Sequence, residues 1–318
     1  MAHLFDSGMF VRKPAWHNLG NVIGDWPGSF EEARKQAGLT WEVETKEIFD
    51  EESNVIPGWQ RIIRNDTGAN LSIEKNSYAV IGNSEFGNLI DYVLGGRIDG
   101  TSNLKYETLI SLDGGRQIIA TMYLDEPIHV KNDPSETYPY LVFISRHDGQ
   151  GGLKLGPTAV RVVCANTQAI AERQMDSNKT SFTIRHTSNW ATKTEEARDH
   201  IQASLDAFKH WERMAQEFAS QNATDYMLED FMDQWLPYST DMKQRVRENV
   251  TERRAQLRKL YEGPTCAGIS GTKWGILQAA IEMCDHTNRA QTTETRISRT
   301  LARLESPKRE AHRILAKL

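Results

Sequence analysis

Up to about residue 190 the chain runs in short alternations of apolar and polar residues cut by Gly, Pro, Asn and Asp; beyond it, apolar residues recur every three or four positions. In the first part, FEEARKQAGL (30–39) predicts a short helix with a glycine stop. The run from WQRIIRND to NLSIEKNSYAVIG predicts a hairpin, with Asn65, Asp66, Thr67 and Gly68 as its turn. SEFGNLIDYVLGG (84–96) places Phe86, Leu89, Ile90, Val93 and Leu94 on one helical face. KYETLISLDGGRQIIATMYLDE then predicts a hairpin across Asp113, Gly114 and Gly115, and TYPYLVFISRHDGQGGLKLGPTAVRVVCANT a second across His147 to Gly152. With QAIAERQM behind them as a helix, the order is β-β-β-β-α, an antiparallel meander with a helix laid on one face.

The second part reads as helices. TKTEEARDHIQASLDAFKHWERMAQEFASQ carries Ile201, Leu205, Phe208, Trp211 and Met214 on one stripe. DYMLEDFMDQWLP, STDMKQRVRENVTERRAQLRKLYEG, GTKWGILQAAIEMCDH and TTETRISRTLARLESPKREAHRILAKL follow, with Ser239 or Thr240 as an N-cap and Gly263-Pro264 as a stop. The fold expected is α+β: an antiparallel β-hairpin sheet with a packed helix over residues 1–190, and a helical domain over 191–318 packed on it.

Composition narrows the class. A quarter of the residues are charged, and no apolar run approaches the roughly 20 residues that a membrane helix needs. The start, MAHLFDSGMFVRKPAWHNLG, has no signal-peptide order, so the chain reads as a cytoplasmic protein with no membrane partner. Three cysteines without CxxC spacing indicate neither a disulfide framework nor a thiolate metal site. No phosphate loop, dinucleotide fingerprint, HExxH or GxSxG occurs, and the histidines are scattered, so no cofactor and no metal is expected.

The cations are more informative. Lys105, Arg116, Arg146, Lys154, Arg161, Arg173 and Arg185 fall on or beside the hairpin strands and the helix after them. Alternation puts Arg161 opposite Val160 and Val162, so one sheet face can be basic while the other packs. Tyr106 and Tyr140 are interleaved with these charges, as a groove that holds phosphates and stacks bases requires. The competing reading is of ordinary solvated strand residues, and the net charge of −5 counts against a nucleic-acid surface over the whole molecule.

Cys164 reads as a small core residue closing a strand, with Asn166 or Thr167 capping the helix that follows. The same stretch, VRVVCANTQAIA, resembles the central motif of the phage/plasmid-like protein family, a domain of unknown function (number 932). GMFVRKPAWHNLG, with Trp16 and His17, resembles the opening of that family, and GTKWGILQAAIEMCDH, with Trp274, Glu282, Asp285 and His286, resembles its closing motif. The resemblance implies a bacteriophage or plasmid setting in a bacterial host. The order of hairpins and helix is similar to the core of single-strand annealing proteins of the Red-beta and RecT type.

The leading expectation is therefore a homo-oligomer that binds and anneals single-stranded DNA without ATP, with no catalytic residue. A second is an enzyme or host-modulating protein whose site gathers His17, Asn166, Asp285 and His286 as a general-base constellation. A third is an oligomeric scaffold that touches no nucleic acid.

Overall fold

The structure, a computed structural model, describes residues 5–11, 20–95, 104–124, 126–161, 181–286 and 305–318. It is α+β: among these residues there are a seven-stranded sheet, a three-stranded sheet and a helical C-terminal part. The chain divides into two compact units. The first comprises Met1–Glu126, Pro139–Thr158 and Gln174–Ala207; the second comprises Pro127–Tyr138, Ala159–Arg173 and Phe208–Leu318.

The large sheet, most of which belongs to the first unit, has the order β10 (Phe182–Ile184), β9 (Leu153–Arg161), β8 (Thr137–Arg146), β7 (Gln117–Tyr123), β6 (Lys105–Leu112), β1 (Phe5–Val11), β2 (Asn21–Ile23). β6, β7 and β8 are the antiparallel hairpin strands that the alternation predicts. β1 joins on their far side, antiparallel to β6, and takes β2 as a parallel edge. Helices α1 (Phe30–Gln36) and α2 (Asn83–Gly95) pack together near β6. Ser29 Oγ accepts the Glu32 N–H to start α1. Phe30 meets the Phe86 ring edge-on at 5.8 Å and lies 6.2 Å from the Tyr106 ring. Of the helical face predicted for α2, Phe86, Leu89 and Ile90 are buried.

The small sheet has the order β3 (Val43–Phe49), β4 (Val55–Arg64), β5 (Asn70–Lys75). One side is held to the rest of the unit. Ile62 on that side is fully buried, and Arg64 lies over the Trp41 ring at 4.2 Å while pairing with Asp6 at 2.7 Å. Arg116 Nε donates to the Leu71 carbonyl at 3.0 Å, so β5's outer edge is occupied by a guanidinium.

The second unit contains α4 (Asp225–Trp235), α5 (Gln244–Tyr261), α6 (Lys273–His286), α7 (Glu305–Leu315) and the later turns of α3 (Thr194–Ser220), a helix shared by both units. Thr224 caps α4 by accepting the Met227 N–H. The N-cap expected at Ser239 or Thr240 is corrected: Ser239 Oγ accepts the Asp241 N–H in a local turn, and α5 starts only at Gln244. Ile128 and Val130 join Phe231, Leu257 and Trp274 in this unit's core. Among the described residues no helix is long and apolar enough to cross a membrane.

Candidate functional site

The cations singled out on the hairpin strands have separate tasks. Arg116 Nη1 faces Asp113 at 3.4 Å, and its Nε and Nη2 donate to the Leu71 and Asn70 carbonyls. Arg146 grips Asp148 through Nε at 3.2 Å and Nη2 at 2.6 Å. Lys105 lies over the Trp26 ring at 5.4 Å. Trp26 stacks on Tyr123, and Tyr123 sits 5.8 Å from Tyr140. The register Lys105–Tyr123–Tyr140 sets these three in one row across β6, β7 and β8. Tyr106 points the other way, 3% exposed, with its hydroxyl donating to Asp91. Lys154 pairs with Thr183 across β9 and β10, and Arg185 is exposed just past β10.

An open basic face does not run across the middle of this sheet. β7 is buried at every position from Ile118 to Tyr123, so both its faces are covered. Arg173 and the Cys164, Asn166 and Thr167 stretch lie outside the described residues, as do Trp16 and His17; so do the side chains of Arg161, Asp285 and His286.

The described closing-motif residues have packing partners within the second unit. Trp274 is 1% exposed, its Nε1 donates to Asp133 Oδ2 at 2.8 Å, and Trp211 meets it edge-on. Gly275 lies where a Cβ would come 2.3 Å from the Ile269 carbonyl oxygen, so only glycine fits. Glu282 accepts the Thr265 hydroxyl at 2.6 Å.

A pair of buried histidines is a strongly perturbed titratable feature of the first unit. His147 Nε2 donates to Asn83 Oδ1 at 3.3 Å, and its Nδ1 is buried without a partner. Burial, with His186 nearby, pushes its pKa down to about 3. His186 donates from Nδ1 to the Ala79 carbonyl at 3.0 Å and stacks on Tyr78, and burial lowers its pKa too. Both rings are thus neutral hydrogen-bonders at pH 7. Among the described residues no group of three or more His, Cys, Asp or Glu side chains is placed to hold a metal ion.

An open cationic and aromatic surface does exist, on the solvent side of the small sheet. The register sets Lys46 beside Arg61 and Arg61 beside Ile73 in one row, and Trp59 beside Lys75 in the next. Strand alternation places residues two apart on one face, so both rows look outward. Trp59 is 43% exposed and Ile73 53%. Arg61 Nε donates to Asn70 Oδ1 at 3.3 Å, which ties the guanidinium to β5. Glu44 is the acidic member of this face and pairs with Lys46 at 3.1 Å.

Trp59 and Arg61 belong to the hairpin that the sequence predicts, yet they were not singled out there. Their signal was the alternation W-Q-R, which sets a tryptophan and an arginine on the same side of a strand. A groove of about 540 Å³ near β3 and the start of α2, lined by Glu42, Glu44, Ser84 and Glu85, has the opposite charge. Its Glu42 is taken up by Arg34 at 2.9 Å and by the Asn83 and Ser84 N–H groups.

Compared with known proteins, residues 70–306 match the model of a family described as a domain of unknown function (DUF932). No curated protein and no solved structure matches.

Proposed function

Since the chain belongs to the DUF932 family, a description that carries no activity with it, we propose from its surface chemistry that it binds single-stranded nucleic acid on the outer face of the small sheet. The observation that carries this reading is the pair of cross-strand rows in which Lys46, Arg61 and Lys75 surround an exposed Trp59. Each strand of the sheet supplies one cation to the outer face, and that face holds an exposed indole ring. Phosphates of a single strand lie against the cations, while a base lies on the indole. A duplex offers no unstacked base and leaves Trp59 unused. The finer reading is annealing of two such strands in bacteriophage or plasmid DNA metabolism. It is supported by the similarity of strand and helix order to Red-beta and RecT-type proteins, a fold-level analogy. Joining two strands breaks no covalent bond, so no catalytic group is asked of the protein.

The test is titration of a fluorescent single-stranded oligonucleotide across a salt series. Three neutralised phosphates give a slope of log affinity against log salt of about −2. Trp59→Ala is expected to weaken binding roughly 5- to 150-fold, the range of one lost stacking contact. Arg61→Ala is expected to make the slope shallower by about 0.7. Absence of binding at low salt, or binding indifferent to both substitutions, overturns the reading. A strand-exchange assay with two complementary oligonucleotides then separates annealing from binding alone.

A further inference from the structure

The hairpin that carries the cationic rows ends in a tip of the opposite charge. β3 and β4 are joined by Asp50, Glu51, Glu52, Ser53 and Asn54, all exposed. This turn is closed by hydrogen bonds. The Asp50 N–H donates to the Asn54 carbonyl at 2.9 Å, the Ser53 N–H to the Asp50 carbonyl at 3.1 Å, and the Asn54 N–H to Asp50 Oδ1 at 2.7 Å. Those hydrogen bonds from Asn54 also hold the Asp50 carboxyl below the usual carboxylate range, which keeps it charged. Just behind the tip, past a register shift after Glu47, Phe49 and Val55 are cross-strand partners, 53% and 46% exposed. From the tip inward, the small sheet therefore presents three carboxylates and then, on its outer face, Trp59 and Ile73 among Lys46, Arg61 and Lys75.

These opposite charges cannot meet within one molecule. Asp50 and Lys46 are four residues apart on a paired strand, about 13 Å along its length, and the strand cannot fold back on its own face. A second copy lying antiparallel across the same sheet meets no such limit. Its tip falls over the first copy's cations while the first copy's tip falls over its own. The exposed Trp59 and Ile73 of each copy come together between them.

We infer that the outer face of the small sheet is a self-association surface, on which a second copy of this chain docks antiparallel, each acidic tip on the other's Lys46, Arg61 and Lys75. The contact is isologous and closes at two copies, because each surface is used once by each partner. Resting on the strand-binding reading above, the contact also regulates that site: strand and second copy take the same cations, so each displaces the other.

Sedimentation of the full chain over a concentration series, at low and at high salt, tests this. Two-copy particles are expected at low salt and single copies at high salt, since exposed charge pairs are screened. Glu51→Lys with Glu52→Lys is expected to leave single copies at low salt, with strand affinity equal or higher. Arg61→Glu with Lys75→Glu is expected to leave single copies that also lose strand binding. Mixing the two variants is expected to restore two-copy particles, since each tip then faces a surface of opposite sign. Single copies of the unsubstituted chain at every concentration overturn the inference. So does a two-copy particle indifferent to the tip substitutions, or a mixture that fails to pair. If the swapped variants pair while no strand binds to any form, the self-association stands and the strand-binding reading falls.

Discussion

His147 shows what a single buried ring commits the protein to. It is 1% exposed, and one nitrogen is spent on Asn83 while the other faces no acceptor. Its neighbour Asp148, the one charge that favours protonation, is claimed by Arg146 at 2.6 Å. With a native pKa of about 3, against 6.5 for the exposed ring, the unfolded chain takes up a proton across that interval and the native chain does not. Stability is therefore whole above pH 6.5 and falls as pH drops toward 3, by about 1.4 kcal/mol per unit from this ring. His186, lowered in the same direction, adds to the loss. Urea unfolding at pH 7.0 and 5.0 is expected to show this drop, and His147→Gln to flatten it even if it lowers stability at pH 7. A second residue-scale demand falls on Gly87 in α2, where a Cβ would lie 1.9 Å from the buried Phe30 ring. Gly87→Ala gains helix propensity but forces Phe30 off Phe86. A net loss of about 1–3 kcal/mol, the usual range of overpacking, is expected in thermal unfolding.

At the scale of elements, the small sheet depends on Arg116. The ion pair of its guanidinium with Asp113 is half-exposed and contributes little. Its donation to the Leu71 and Asn70 carbonyls closes the edge of β5. Arg116→Ala is expected to loosen β5 by about 1.5 kcal/mol, read as roughly tenfold faster amide exchange over residues 70–75 with little change in β7. None of this is visible in the sequence, where Arg116 looks like a cation beside a turn and its acceptors stand 45 and 46 positions earlier. The hairpins were legible for a physical reason: β6, β7 and β8 have apolar runs bounded by Asp113–Gly115 and by the glycines after His147, so pattern and turn chemistry agree. β3 was not, because VETKEIF turns mostly exposed residues to solvent and lacks the apolar alternation of a half-buried strand. Without β3 the cross-strand rows have no Lys46, and the open face could not be assembled from sequence. Tyr106 failed as a stacking candidate for a related reason: alternation tells which residues share a face, but not that Phe30 and Asp91 would cover this one.

At the scale of the whole molecule, charge and packing separate two kinds of residue. The chain carries 43 acidic against 38 basic side chains, so a polyanion is repelled by most of its surface and attracted where cations cluster. The closing-motif residues lie elsewhere, in the second unit, where segment 127–138 is bound in by Gln216: its side chain accepts the Lys131 N–H at 3.0 Å and donates to the His129 carbonyl. Trp274 fixes that segment from the other side through Asp133. Helical period alone cannot foresee this, since residues 127–138 lack it and join the helical core through these long-range bonds and through the burial of Ile128 and Val130. The two groups should therefore come apart under substitution. Trp274→Phe keeps an aromatic ring but leaves Asp133 without the indole N–H, and about 1–3 kcal/mol of stability is expected to go with it. Strand affinity per folded molecule should stay where it was. Arg61→Ala should do the reverse, lowering affinity with no shift in the unfolding midpoint beyond about 0.5 kcal/mol. A loss of strand affinity in folded Trp274→Phe would mean that the bound strand reaches past the small sheet. The reading that places recognition on β3, β4 and β5 alone would then be wrong.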